Sequence, residues 1–192
     1  MDIFAHGLWV GVGAGLAIQR WPLDGRINRH ANRRTNQRTV ALSIAMAVLP
    51  DLVQLLPILA WALFAPGGFA ALAAYATALP GYEPTLPATI GLLAHHLHCV
   101  MHSAIVASVV TVVLWVWLRK LWIPLLGWWS HILIDVFTHS ADFYPSPVLY
   151  PFTERGFDGL AWNTPWFFVL NYAALLGCFA WLAWKHWTRR NH

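Results

Sequence analysis

Charge is scarce in this chain. Asp, Glu, Lys and Arg together make up 10% of its 192 residues, against about 25% in a typical soluble domain. So few solvated groups exclude an ordinary water-soluble globule. Cysteine is almost absent as well: Cys99 and Cys178 are the whole supply. Both fall in apolar, helix-like stretches, which reads as packing and argues against a disulfide framework or a zinc knuckle. No cleavable leader is evident either. The start carries Asp2 and shows neither a basic segment nor a small-residue cleavage site, so the first apolar helix is expected to stay in the mature protein. There is no internal repeat and no low-complexity tract.

What is present is apolar. Hydrophobic residues make up 58% of the chain, with thirteen tryptophans, and the mean hydropathy is +0.53. This is the composition of an integral membrane protein, and the length suits one domain over 1–192. The apolar runs predict an all-α bundle of five membrane helices, at about 4–19, 40–64, 87–118, 121–139 and 165–187. Pro50 and Pro57 are expected to kink the second. The Pro- and Gly-bounded stretch 65–86 has room for a short helix at the interface, and 20–38, with six arginines, reads as a polar loop.

Basic residues orient this bundle. The arginine-rich loop, Arg119 and Lys120, and Lys185, Arg189 and Arg190 fall on one side of five spans. The other side holds Arg155 as its only Lys or Arg. The positive-inside rule puts that basic side in the cytoplasm and the N-terminus outside, as in a bacterial inner-membrane protein. The arginines speak to topology and anionic lipid, and no nucleic-acid partner is expected.

The few polar side chains inside the apolar runs form a pattern. In "WWSHILIDVFTHS" His131, Asp135 and His139 recur at steps of four, which lines them along one helix face. A carboxylate in a membrane helix costs about 2.5–3.5 kcal/mol on insertion scales, so it is retained where it pairs, faces a cavity or binds a metal. A His–Asp pair that only locks helix packing is the plainer alternative. "HHLHCVMHS" adds His95, His98 and His102 on one face, with His96 turned away; whether His95 and His96 are ligands or packing is left open. With His6 and Asp51 this makes a mixed His/Asp set from four helices in the outward half of the bundle. The candidate ligands are His6, Asp51, His98, His102, His131, Asp135 and His139. Imidazole and carboxylate donors without thiolate suit zinc, with manganese or iron as alternatives. Asp51 and Asp135 are the candidates for accepting a proton from water. His30, His186 and His192 lie in basic or terminal surroundings and read as bystanders. The aromatics Phe143, Tyr144, Tyr150, Phe152 and Trp162 are placed to rim the site or to anchor at the interface.

"LPD" at 49–51, "HS" at 102–103 and "GWWSHILIDVFTHS" at 127–140 with "YPFT" at 150–153 resemble the YdjM-like family of membrane-bound, predicted metal-dependent hydrolases. That family is similar in motif order to zinc-dependent phospholipase C and the S1/P1 nucleases. The resemblance implies a zinc cluster held by His6, Asp51, His102, His131 and Asp135 in an all-α fold. The later HxxxE pair of the soluble enzymes is absent, so one or two ions are expected. The expected activity is hydrolysis of a phosphoester such as a phospholipid headgroup, with membrane lipid as partner. Two other readings use the same residues: a haem-binding membrane cytochrome, and a metal-binding transporter or scaffold without catalysis.

Overall fold

In the computed structural model, residues 1–20, 29–78, 82, 84–142 and 144–188 are described. They form seven helices, with no strand among them: α1 (Ile3–Arg20), α2 (Arg29–Phe64), α3 (Gly68–Thr77), α4 (Ala88–Met101), α5 (Ala104–Leu118), α6 (Leu125–Thr138) and α7 (Pro165–Thr188). The all-helical expectation holds, and the short helix in 65–86 is α3. Two boundaries differ from the sequence reading. The arginine-rich stretch is helical from Arg29 onward, because its Ala, Arg and Gln are good helix formers and α2 continues through them. At 36 residues, α2 is about 54 Å long. That exceeds a hydrocarbon core of about 30 Å, so its basic end projects beyond the apolar part. The helix expected over 87–118 is two helices, α4 and α5, bent by 60° at His102–Ser103.

By length and composition, the stretches Asn36–Phe64 and Pro165–Thr188 can each cross a membrane, and the bent α4–α5 pair makes a third if it counts as one span. The α1 and α6 stretches Ile3–Ala17 and Leu125–Thr138 are apolar but shorter. The expected count of five spanning helices thus becomes two or three by this measure.

α2 is the hub, packing against α1, α3, α4 and α6, while α7 leans on α1. Trp9 Nε1 donates to Asn171 Oδ1 at 2.9 Å and the Tyr172 hydroxyl to Asp2 Oδ1 at 2.8 Å, which fastens α7 to α1. The outer faces of α5 and α7 expose Val109, Val113, Trp117, Leu170, Leu176 and Trp184, while His6, His102, His131 and Asp135 are fully enclosed. Apolar outside and polar inside suits lipid as the surrounding solvent.

The α2–α6 crossing is close because Gly127 has no side chain. A Cβ there would lie 1.9 Å from the Ser43 carbonyl oxygen. One turn further along α6 comes His131, so this contact sets the depth at which the buried polar groups meet.

Candidate metal centre

α6 supplies two of the central groups. His131 and Asp135 lie on its buried face, and His139 follows as the residue that ends the helix. The carbonyls at that end are taken up by the loop after it. Gly159 N donates to His139 O (2.9 Å), Leu160 N to Phe137 O (3.0 Å) and Trp162 N to Thr138 O (2.8 Å). Gly159 is needed there, because a Cβ would stand 2.6 Å from Phe137 O.

The break between α4 and α5 supplies the third group. Breaking a helix frees backbone donors and acceptors, which inside an apolar bundle must find partners. Ser103 is extended (φ −83°, ψ 121°) and caps α5 by accepting from Val106 N. Its hydroxyl donates to Tyr150 O at 2.6 Å, Ala104 N donates to Val148 O at 2.9 Å, and Trp128 Nε1 donates to Met101 O at 2.7 Å. His102, the last residue before the break, is thereby held facing α6. Asp51 of α2 and His6 of α1 complete the cluster.

The histidines are oriented alike. His131 Nδ1 lies 2.7 Å from Ala47 O, His102 Nδ1 2.9 Å from His98 O, and His139 Nδ1 2.5 Å from Tyr144 O. A carbonyl only accepts, so each Nδ1 carries a hydrogen and each ring turns its Nε2 inward.

These nitrogens meet carboxylates. Asp135 Oδ2 is 3.1 Å from His131 Nε2 and 3.3 Å from His102 Nε2, and those two nitrogens are 3.0 Å from each other. Asp51 Oδ1 lies 3.6 Å from His102 Nε2 and 3.8 Å from His131 Nε2. His6 Nε2 and His139 Nε2 stand 3.0 and 3.5 Å from Asp135 Oδ1, and the Met1 amino nitrogen also contacts that oxygen. Yet Asp51 Oδ2, Asp135 Oδ2 and both ring nitrogens of His6 are buried without hydrogen-bond geometry to any partner. Acceptors that crowd together without protons between them repel unless a cation sits among them. One donor atom from each of Asp51, His102, His131 and Asp135 lies within 4.8 Å of the others, so this buried group fits a metal ion. Two imidazoles and two carboxylates without sulfur suit zinc, manganese or iron.

Five of the other six expected ligands thus gather around Asp135. The seventh, His98, stacks on the His102 ring (centroids 4.0 Å apart) and directs Nδ1 to Gln54 Oε1 at 2.7 Å. Gln54 escaped the sequence reading, although it stands three residues after Asp51 on α2. His96 meets the Tyr150 hydroxyl at 3.0 Å, and His95 lies with Cys99 and Glu154.

A cavity of about 1000 Å³ opens beside the cluster. Asp51, Gln54, His98 and His139 line its polar end, and Leu55, Ile58, Leu59, Leu72 and Leu86 its apolar body. Of the aromatics expected at the rim, Tyr144 and Trp162 line it, Phe152 is exposed, and Phe143 lies outside the described residues. A second groove, about 620 Å³ between α1, α2 and α6, is lined by no titratable side chain among the described residues. Comparison with protein-family models, curated proteins and solved structures finds no match for the chain.

Proposed function

We propose that this protein is a membrane-embedded, metal-dependent hydrolase whose substrate is a phosphoester bearing an apolar chain, such as a phospholipid. The observation that carries this reading is the adjacency of two features. A buried His/Asp cluster built to hold a cation stands at the polar end of a cavity with aliphatic walls. An amphipathic substrate fits both halves. A divalent cation there supplies Lewis acidity and makes water acidic enough to act as a nucleophile near neutral pH.

The protein's own groups have separable roles. The carbonyls of Ala47, His98 and Tyr144 fix the ring orientations of His131, His102 and His139. Asp51 lines the cavity whereas Asp135 does not, and Asp51 Oδ2 has no partner. Asp51 is therefore placed to take the proton from water, with Asp135 at the heart of the ligand set. The leucines of α2 and α3 exclude water and take the chain. His102 and His131 have Nε2 atoms 3.0 Å apart, which leaves no gap for a porphyrin plane between them and favours a small ion over haem.

In the membrane, α1, α2, the α4–α5 pair, α6 and α7 are the five crossings of this reading. Arg119, Lys120 and Lys185 mark the cytoplasmic ends, and the cluster lies toward the outer leaflet.

The test is purified protein assayed on a long-chain phospholipid and on a small soluble phosphodiester. Asp51→Asn keeps an Oδ1 donor for the ion but removes the base, so it should keep metal and lose about 100-fold or more in turnover on both. Leu72→Trp, which narrows the apolar part of the cavity, should lose the lipid substrate and keep the soluble one. Stoichiometric metal without hydrolysis of either would return the protein to the transporter or scaffold class.

A further inference from the structure

We propose that His95, Cys99 and Glu154 form a second, separate metal site, for a zinc-class ion, at the rim of the cavity. His95 and Cys99 are one turn apart on α4, which puts Cys99 Sγ 3.5 Å from His95 Nε2. Glu154 arrives from the loop after α6, with its Oε2 3.5 Å from the same nitrogen. One donor atom from each lies within 4.8 Å of the other two. Nitrogen, sulfur and oxygen ligands in one small triangle make a tetrahedral site with a fourth position open to water.

The burial pattern suits a loadable site. Cys99 is enclosed, which shields the thiol, while His95 and Glu154 are more than half exposed and leave a path for an ion from water. The site differs from the buried cluster in chemistry as well as place. A thiolate makes it softer than a set of imidazoles and carboxylates, so cobalt, zinc and cadmium should favour it over manganese. Metal binding there releases the thiol proton. It also ties α4 to the loop whose Tyr150 carbonyl holds Ser103 at the helix break and whose Tyr150 hydroxyl meets His96. A metal at the rim braces that loop over the break that positions His102.

The probe is Co²⁺ added to the purified full-length chain in detergent. A thiolate-to-cobalt charge-transfer band is expected, kept in Cys178→Ser and in His131→Ala, and lost in Cys99→Ser. Because Cys99 is buried, its loss can also perturb folding, so the exposed partners decide. Glu154→Gln and His95→Gln should each weaken the cobalt affinity read from this band by about tenfold or more. No band in the parent protein overturns the proposal. So does a band that survives Cys99→Ser, or cobalt affinity unchanged in both exposed variants.

Discussion

His102 and His131 hold two Nε2 atoms 3.0 Å apart beside Asp135 Oδ2, a spacing that neutral imidazoles keep only with a cation or a proton among them. Removing a ligand should therefore empty the cluster rather than loosen it. His131→Ala and Asp135→Ala should each lose bound metal by elemental analysis and lose hydrolysis to background. His186→Ala, exposed in the last turn of α7, should match the parent protein in both. Equal losses in all three variants would show that the cluster was misassigned. Stripping the metal with a chelator should also lower Tm, and adding zinc back should restore it. An ion present at 1,000 times its Kd contributes about 4 kcal/mol to the folded state, and its removal leaves Asp51 and Asp135 with only the Met1 amino group and the imidazoles to offset them.

Helix packing places those residues. The α2–α6 crossing depends on Gly127 lying against Ser43, and the His131–Ala47 bond follows one turn later. Gly127→Val should force the helices apart, at a cost of about 3 kcal/mol if the overpacking is not relieved. Metal affinity should fall with stability, although residue 127 is not itself a ligand. Unchanged Tm and metal content would mean that the crossing is looser than the backbone contact implies. The α4–α5 break is a second such element. Ser103→Ala removes both the cap on Val106 N and the bond to Tyr150 O, and should lower stability by about 1–2 kcal/mol in a thermal melt. Mean residue ellipticity should barely change, since the helices remain and only their junction loosens.

Over the whole molecule, basic residues and buried polar groups separate toward opposite ends of the helices. In a background lacking Cys99 and Cys178, a cysteine at the exposed position Phe152 should react with a membrane-impermeant thiol reagent added to intact cells. One at Lys120, exposed just after α5, should react only after lysis. The reverse pattern would turn the cluster toward the cytoplasm and change the accessible substrates accordingly.

Composition and periodicity by themselves determined the helical, apolar character of this chain, the approximate extent of α1, α6 and α7, and most of the cluster. Steps of four project His131 and Asp135 to one face of any helix, and an apolar setting makes each ionisable group conspicuous, so these signals are local and survive without a fold. Tertiary structure decided what periodicity cannot carry. The apolar run over 87–118 looks continuous, yet the chain breaks at His102–Ser103 because carbonyls from the 146–150 loop take up the freed donors. His98 shares a face with His102 but turns to Gln54, a partner supplied by another helix. Cys99 reads as packing until a distant loop brings Glu154 beside His95. In each case the deciding partner lies far along the chain, and helical spacing reports only which residues share a face, not what that face meets.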